Sequence, residues 1–483
     1  MQPFVIALLS LAAIAVAGGH AVMWKRDPRA ALGWLGLILL LPVAGAALYA
    51  VFGINRLSRK AQALYARHDS HPVKIRDSSA HAGPALKEKL EQLGLTELDA
   101  VVSRSVPAVA RELLGGNLVQ PLQSGADAYG AMLRAIGDAR RSVTLCTYIF
   151  DHDPAGQRFL DALRDATARG VQVRVLIDAL GDRYTFPSML GRLERAGVTT
   201  AVFLPTLWPA HMVYANLRNH RKLLVVDGEL AFTGGMNIRQ GHVMVDGAEG
   251  AERYPPIVDL HFRIEGPVVA ELQAIFCDDW AFTTGETLHS DDFFPILERR
   301  GGVLARALDD GPGRSLSRLR WVKLGALACA HSRVRIATPY FLPDEGLLTG
   351  LVTAARRGVD VEVLIPEKNN LLMVQWACEA MLWQLLDGGV TIRKVAPPFD
   401  HTKLMVVDDA WTLLGSANWD ARSLRLNFEL DVECYDRELA RALSALLDDK
   451  VSRSRVVTLE EVDSRSVPVR LRDGLARLAT PYL

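Results

Sequence analysis

The stretch "SVTLCTYIFDHDPAGQRFLDALRDATARGVQVRVLID" occupies Ser142–Asp178. It contains an apolar run, a turn rich in Asp, Pro and Gly, a segment with apolar residues at helical spacing, and a second apolar run. Two apolar runs of strand length around a helical pattern predict a βαβ unit. Strands that are apolar on both faces are typical of sheets covered by helices. The stretch therefore predicts an α/β fold.

The same order of segments returns in "RVRIATPYFLPDEGLLTGLVTAARRGVDVEVLIP", Arg333–Pro366, and each copy has Arg-Gly-Val before its second apolar run. A repeat of this length is too long for a solenoid unit and indicates duplicated domains. We predict two domains, 117–300 and 301–483, each a mixed sheet flanked by helices, facing each other across a pseudo-twofold axis. Residues 57–116 are polar and charged, and we interpret them as a connector.

A polar motif follows each βαβ unit. It reads "NHRKLLVVDGELAFTGGMN" at residues 219–237 and "HTKLMVVDDAWTLLGSAN" at residues 401–418. Counted from the His, Lys stands at +2, Asp at +7, Gly at +14, Gly or Ser at +15, and Asn at +17 in both copies. A single His-x-Lys on a strand is usually a solvated edge, but agreement at six positions, each after a matching βαβ unit, favours one shared site built from both copies.

The stretch "HRKLLVVDG" (His220–Gly228), interpreted as a strand, places His220 and Lys222 on one face, because side chains alternate along a strand. His401 and Lys403 repeat this arrangement in the second copy. The aspartates at +7, which we include in the catalytic motif, are an odd number of residues from the His and so lie on the opposite face of the strand, where the strand enters its turn. We expect them to brace that turn. They are Asp227 and Asp408.

Two histidines, two lysines and two amides around one point suit a phosphodiester. The lysines, with Asn237 and Asn418, would bind the phosphoryl oxygens as charge develops there. One neutral imidazole can attack phosphorus while a second, protonated, supplies a proton to the leaving alkoxide. The chain has no dense group of Asp, Glu and His at metal-ligand spacing. We therefore expect no metal and no other cofactor.

A nucleophilic imidazole also needs its second nitrogen held, usually by a carboxylate. Glu429 in "NFELDVE" follows the second motif, and Asp259 in "IVDLHFRIEGP" follows the first. We interpret both as His-orienting residues, the alternative being plain surface carboxylates. In the longer intervening loop, Glu249 and Glu252 compete with Asp259 for this role.

Composition narrows the class of protein further. The chain has 483 residues, 49% of them hydrophobic, and 55 basic residues balance 55 acidic ones. A net charge of zero argues against a nucleic-acid-binding protein, which needs a basic excess. The five cysteines are scattered without CxxC spacing, which favours reduced thiols over disulfides or a zinc site.

Two uncharged, mostly apolar runs, Pro3–Met23 and Ala30–Phe52, begin the chain. Each is about the length of a membrane-spanning helix. We predict a transmembrane hairpin in residues 1–56. The alternative is a cleaved signal peptide, but no Lys or Arg precedes the first run and a second run follows at once. Lys and Arg residues that follow the second run favour a cytoplasmic location for the remainder.

H-x-K-x4-D followed by G-G/S-x-N, twice in one chain, resembles the phospholipase D superfamily. The stretches "NLRNHRKLLVVDG", "GGMNIRQGH" and "RSLRLNFEL" and the N-terminal apolar segment are similar to those of bacterial cardiolipin synthases. The resemblance covers nearly the whole chain. It implies transfer of a phosphatidyl group between two phosphatidylglycerols, giving cardiolipin and glycerol, at the bacterial inner membrane. It also implies a phosphatidyl-histidine intermediate without metal, with His220 as nucleophile and His401 as acid and base.

The departures from the family pattern are small: Thr402 stands where a smaller residue is common, and Gly235 replaces the usual Ser. The partners implied are membrane phospholipids and the bilayer, with no nucleic acid. Two alternatives keep the chemistry and change the acceptor: a membrane-bound phospholipase D using water, or a phosphatidyltransferase using another alcohol. A tethered nuclease and a non-catalytic scaffold fit less well, because the charge is balanced and both motifs are intact.

Overall fold

The computed structural model describes residues 2–25, 28–53, 84–105, 111–205, 217–245, 247–311 and 317–480. The chain divides into two compact units, Met1–Ala63 and Leu64–Leu483. The first contains the apolar runs, and the second contains both βαβ repeats and both polar motifs.

The N-terminal unit is helical. Its small core is formed by Ala21, Ile38 and Tyr49. Within the ranges described, no single helix combines the length and apolar character needed to cross a membrane, and the transmembrane hairpin stays a prediction. The helices are α1 (Gln2–Ala13), α2 (Gly19–Trp24), α3 (Pro28–Leu40) and α4 (Pro42–Leu48), with π-helical segments at Ile14–Gly18 and Tyr49–Gly53.

The described residues of the larger unit form one mixed sheet of fifteen strands, in the order β17-β12-β11-β10-β14-β15-β16-β9-β1-β8-β6-β5-β2-β3-β4, and a two-stranded sheet of β7 and β13. The strands are β1 (Leu114–Leu122), β2 (Ser142–Thr147), β3 (Gln172–Asp178), β4 (Thr199–Phe203), β5 (Leu223–Val226), β6 (Leu230–Gly234), β7 (Ile257–Val258), β8 (His261–Glu265), β9 (Val303–Asp310), β10 (Arg333–Ala337), β11 (Asp360–Pro366), β12 (Thr391–Val395), β13 (Phe399–Asp400), β14 (Leu404–Val407), β15 (Trp411–Gly415), β16 (Glu429–Tyr435) and β17 (Ser454–Val456).

Helices cover this sheet. They are α5 (Pro84–Leu93), α6 (Thr96–Ser105), α7 (Gly125–Asp138), α8 (Pro154–Ala168), α9 (Leu190–Arg195), α10 (Val268–Thr284), α11 (Arg318–Cys329), α12 (Glu345–Arg356), α13 (Leu372–Glu379), α14 (Leu382–Asp387), α15 (Ala421–Arg425), α16 (Arg437–Ser452), α17 (Leu459–Asp463) and α18 (Val467–Leu478), with short 3₁₀ turns at Gly181–Arg183 and Gln240–Val243.

The predicted βαβ units are present in both repeats. In the first, β2 and β3 pair in parallel, and in the second, β10 and β11 do so. The crossover helices begin at aspartate caps. The Asp153 side chain accepts a hydrogen bond from Gly156 N at 2.8 Å, and Asp344 accepts one from Leu347 N at 3.1 Å. Such caps satisfy amides that the first helical turn leaves unpaired.

The mixed sheets predicted for the two repeats are present, and they join into one sheet. The first strands of the repeats, β1 and β9, pair antiparallel, with Leu114 opposite Ala305 and Asn117 opposite Val303. Each would otherwise be an edge strand with unpaired backbone N–H and C=O groups, and the pairing of β1 with β9 provides hydrogen-bond partners for both strands. The strand order is therefore nearly symmetric about the β9–β1 junction, and the repeats are halves of one unit.

Part of the predicted connector is also folded onto the second half. The Asp99 carboxylate of α6 accepts a hydrogen bond from Arg306 Nη2 at 2.7 Å, and Val101 packs on Gly325 of α11 so closely that a Cβ there would meet it at 2.6 Å. Helix α6 therefore belongs to the core of the second half.

Candidate active site

The motif histidines lie just before strands rather than on them. The strand predicted to begin at His220 begins only at Leu223, and its counterpart in the second repeat begins at Leu404. The reason is a backbone pairing between the halves: His220 N donates to Phe428 O at 2.9 Å, and His401 N donates to Val258 O at 2.7 Å. The backbone at each His is thus bound to the opposite repeat and leaves its own sheet.

Each motif histidine is held by a carboxylate from the other repeat. His220 Nδ1 lies 3.0 Å from Glu429 Oε2, and His401 Nδ1 lies 2.8 Å from Asp259 Oδ2. Both carboxylates are buried, whereas the competitors Glu249 and Glu252 are exposed. The sequence indicated the two residues but not the exchange, which follows from the pseudo-twofold arrangement.

Glu429 stands in a fully satisfied polar pocket. It accepts hydrogen bonds from Ser416 Oγ at 2.6 Å and Asn427 Nδ2 at 3.1 Å, in addition to its contact with His220. Burial alone would raise the pKa of Glu429, but His220, Lys222 and the Ser416 hydroxyl together lower it. The carboxylate is therefore ionised. Sequence reasoning missed Ser416 and Asn427 as its partners, although the Ser stands at the +15 position of the motif.

The opposite pocket is built differently because Gly235 replaces the serine. A Cβ at Gly235 would lie 2.2 Å from Asp259 Oδ1, so a glycine is needed for this carboxylate to approach. Asp259 Oδ1 accepts a hydrogen bond from Leu260 N at 2.8 Å, and burial raises the pKa of Asp259, opposed by Lys403. The two His–carboxylate pairs therefore differ in carboxylate length, donors and charge stability.

Both motif lysines are buried beside their histidines. Lys222 Nζ donates to His220 O at 2.5 Å, and Lys403 Nζ donates to His401 O at 2.6 Å. Lys403 Nζ also lies 2.9 Å from His401 Nδ1 and 3.0 Å from Nε2. Burial lowers the pKa of Lys222 to about 7 and that of Lys403 to about 8, although nearby carboxylates oppose the shift. A bound anion would favour the charged forms.

Burial also keeps both imidazoles neutral. It lowers the pKa of His220 to about 4, with Glu429 opposing and Lys222 adding to the shift. Burial, then Lys403 and Lys222, lower the pKa of His401 well below its usual value. A neutral imidazole that donates Nδ1–H to a carboxylate has its lone pair on Nε2. Nε2 is therefore the basic nitrogen of both rings, and that of His401 also lies 3.0 Å from Lys403 Nζ.

The two asparagines close the motifs. Asn237 Oδ1 accepts a hydrogen bond from Ile149 N at 3.2 Å, which leaves its amide NH₂ as a donor. Asn418 Oδ1 is buried without a hydrogen-bond partner among the residues described. Behind them, the Tyr129 hydroxyl donates to Asn237 O, and Lys323 Nζ donates to Asn418 O at 3.0 Å. These two supports, which differ between the repeats, had no signal in the motif.

The motif aspartates do not join the histidines. Asp227 and Asp408 follow the far ends of β5 and β14, with positive φ angles of 53° and 51°. Each accepts hydrogen bonds from three successive backbone amides at the start of the neighbouring repeat strand: Arg140, Arg141 and Ser142 in the first half, and His331, Ser332 and Arg333 in the second. These contacts fix the turns that end the motif strands.

No three His, Cys, Asp or Glu side chains group as metal ligands anywhere in the ranges that the structure describes. The polar residues that accompany the two histidines in the motifs are lysines and asparagines, and such cations and amides match a singly charged phosphodiester. Two half-sites of this kind, on duplicated α/β repeats, define a phospholipase D-like protein.

Comparison with known proteins gives the family. The family described as "Cardiolipin synthase, PLD-like domain" matches residues 132–247 and 324–450, and the "Phospholipase_D-nuclease N-terminal" family matches residues 6–53. The chain is 32% identical to "Major cardiolipin synthase ClsA" of Bacillus subtilis, over 95% of both chains, and 32% identical to "Cardiolipin synthase A" of Pseudomonas putida, over 99% of this chain and 98% of that one. This protein belongs to the cardiolipin synthase family of the phospholipase D superfamily.

A solved structure supports the fold alone. The phosphatidylserine synthase of Haemophilus influenzae superposes with a TM-score of 0.58 and 16% sequence identity, covering 82% of this chain and all of that one. The duplicated architecture is therefore shared with a protein of very different sequence.

Proposed function

We propose that this chain is a phosphatidyltransferase that makes cardiolipin and glycerol from two molecules of phosphatidylglycerol. One observation carries the proposal: two neutral histidines from separate repeats are each held by a carboxylate of the other repeat, and each lies beside a buried lysine. The full-length relatives named above are cardiolipin synthases.

In the first step, His220 Nε2 attacks the phosphorus of phosphatidylglycerol. The phosphorus–nitrogen bond forms, the bond to the glycerol headgroup breaks, and the departing glycerol oxygen takes a proton from His401. Glu429 accepts the Nδ1–H of His220 and stabilises the positive charge that this ring acquires. Lys222 and Lys403 bind the non-bridging oxygens as negative charge develops on them.

In the second step, the glycerol hydroxyl of another phosphatidylglycerol attacks the phosphorus. Its proton passes to His401, which is neutral after the first step, and the phosphorus–nitrogen bond to His220 breaks. The product is cardiolipin, and His401 again carries the proton needed for the next cycle. The same histidine is thus acid and base in turn.

The role of His401 as an acid requires a proton, whereas burial and the two lysines keep its imidazole neutral. A phosphodiester anion placed between the lysines would offset the positive charge that lowers the pKa of His401, so its pKa would rise. We therefore expect lipid binding to take up protons from solution. Calorimetry of a short-chain lipid in buffers of different ionisation enthalpy measures this uptake.

The reaction itself is tested by product analysis. Purified enzyme given phosphatidylglycerol in EDTA should release cardiolipin and glycerol, because the protein's own cations and amides stabilise the phosphoryl group. Loss of activity in the chelator would contradict metal-independent chemistry. Phosphatidic acid as the only lipid product would identify a phospholipase D using water, and a mixed lipid formed with an added alcohol would identify a broader phosphatidyltransferase.

The N-terminal unit is assigned as a membrane hairpin of a multi-pass inner-membrane protein, with the larger unit in the cytoplasm. The support is the uncharged sequence of Pro3–Met23 and Ala30–Phe52, and the N-terminal family match over residues 6–53. Reporter fusions placed after Lys60 should give a cytoplasmic signal. A periplasmic signal, or a mature protein that lacks its first 17 residues, would contradict this topology.

A further inference from the structure

Two loops at equivalent positions of the repeats expose large apolar side chains. One follows β3 and the other follows β11, the second strand of each βαβ unit. We call residues 183–186 and 368–373 the two loop tips. Their exposed apolar residues are Tyr184 (55%), Phe186 (100%), Leu371 (48%), Leu372 (60%) and Met373 (47%).

In the first repeat, a single tyrosine connects the loop tip to the active site. The ring of Tyr148 lies 5.1 Å from that of His220 and 6.1 Å from that of Tyr184, measured between centroids. Phe186 is two residues further along the same loop tip. The exposed aromatic residues of this loop tip are therefore close to the His220 half of the site.

The second repeat has the same arrangement with different residues. The Tyr340 ring lies 6.0 Å from His401, and the Tyr340 hydroxyl donates to Asn370 Oδ1 at 3.0 Å. Asn370 directly precedes Leu371, the first of the three exposed apolar residues. Each loop tip is thus joined through one tyrosine to one motif histidine, and together the tips border the site from both halves.

Each loop tip also carries an exposed cation, Arg183 in the first and Lys368 in the second. The adjacent acids are engaged elsewhere. Asp182 accepts a hydrogen bond from Ser188 Oγ at 2.5 Å, and Glu367 pairs with Arg455 at 3.0 Å. Apolar side chains beside a cation match the boundary between acyl chains and anionic headgroups.

We propose that the two loop tips form a docking surface for a bilayer that contains anionic phospholipid. The apolar residues enter the acyl boundary, and the two cations contact headgroup phosphates, so that the mouth of the site opens onto the substrate. This inference rests on the proposed function, which supplies a lipid substrate. A fully exposed phenylalanine beside the site is costly in water and favourable in that boundary.

Position is tested by labelling the full-length protein in detergent and then adding phosphatidylglycerol vesicles. Phe186→Cys and Leu372→Cys are each coupled to an environment-sensitive thiol dye. The matched control is Ile296→Cys, at a residue of similar exposure (64%) that follows Pro295, which packs on Gly228 at the far end of the motif strand. Four native cysteines are buried and Cys329 is half-buried, so unmutated protein treated with dye gives the background.

The dyes at 186 and 372 should shift to shorter emission wavelengths on addition of vesicles and be quenched by doxyl-labelled lipid, while the dye at 296 stays accessible to aqueous iodide. Equal response at all three positions would overturn the proposal. Shifted emission already present in detergent, rising with protein concentration and unchanged by vesicles, would assign the loop tips to a contact between copies of this chain and would also overturn it.

Kinetics separate docking from chemistry. The double variant Phe186→Ser/Leu372→Ser should raise the apparent KM for vesicle phosphatidylglycerol roughly tenfold, with kcat on monomeric short-chain phosphatidylglycerol unchanged. Arg183→Gln/Lys368→Gln should raise the KM roughly tenfold at low salt and less at high salt. Ile296→Ser should do neither. If both double variants keep the unmutated KM for vesicle phosphatidylglycerol, the docking proposal is refuted. If the unmutated enzyme turns over neither vesicle nor short-chain phosphatidylglycerol, the proposed function is refuted instead.

Discussion

Replacement of Glu429 by glutamine tests whether the two repeats depend on each other for catalysis. The change keeps size and shape but removes the negative charge beside His220 Nδ1, with which Glu429 Oε2 is in contact at 3.0 Å. Ser416 Oγ and Asn427 Nδ2 donate to the same carboxylate, and they would hold the glutamine with its NH₂ or its oxygen toward the ring. The site would thus lose charge in every orientation.

The expected loss follows from two contributions. A hydrogen bond to a charged group contributes about 1.5–3 kcal/mol, and a buried donor or acceptor left mismatched costs about 1–3 kcal/mol. The variant lacks the charged hydrogen bond when the His220 ring becomes positive during the reaction. The cost of a mismatched group arises because an amide NH₂ that faces Nδ1 forces the ring proton onto Nε2, the nitrogen that must attack phosphorus. The sum, roughly 3–6 kcal/mol on the activation barrier, corresponds to a loss of roughly 10²–10⁴-fold in kcat.

The assay is turnover of phosphatidylglycerol to cardiolipin, with the phosphatidyl-enzyme trapped and located by mass spectrometry. The matched control is Glu433→Gln on the same strand, which breaks a buried pair with Arg306 at 2.5 Å that does not contact either histidine. The control should lower the Tm yet keep kcat within about threefold of the unmutated enzyme. Folded Glu429→Gln protein that keeps more than about a third of the normal kcat would refute the reasoning.

Three further outcomes are expected. His220→Ala should form no covalent lipid adduct with any substrate. His401→Ala should lower the rate with phosphatidylglycerol about 10²–10⁴-fold, regain part of that rate with a nitrophenyl phosphodiester, and accumulate the adduct. An adduct on His401 in the His220→Ala protein would show that the two roles are reversed. The kcat/KM profile should fall below about pH 4, where His220 becomes protonated. It should also decline as pH rises above the lowered pKa of His401, because lipid binding must then take up the proton that this residue donates, and decline more steeply through about 7 to 8, where the two buried lysines lose their charge; a flat profile from pH 6 to 9 contradicts this. Gly235→Ser should displace Asp259, whose Oδ1 would lie 2.2 Å from the new Cβ, and should lower both kcat and Tm at a stability cost of about 1–3 kcal/mol. Ser416→Gly, the reciprocal change in the other repeat, should lower kcat with a smaller loss of Tm. Equal losses of stability in the two variants would show that the glycine is not required.

The sequence alone determined the α/β class, the duplication and the residues of the two polar motifs. Local patterns are sufficient for these features, because apolar periodicity specifies strands and helices and because a motif repeated at six positions is visible without a structure. The βαβ units of both repeats lie within one or two residues of their predicted bounds. The carboxylates Asp259 and Glu429 were also found from their position after each motif.

Only the tertiary structure decided which groups act on each other. The sheets of the repeats merge through β1 and β9, and this junction sets the halves so that Glu429 reaches His220 and Asp259 reaches His401. Contacts between residues some 140 to 210 positions apart produce no repeating pattern in the sequence, so they cannot be predicted from it. Shifted pKa values are likewise beyond a sequence pattern, because they arise from burial and from charges that folding brings together. The identity of each residue can be seen in the sequence, but which residues pair across the pseudo-twofold axis depends on how the two repeats join in one sheet.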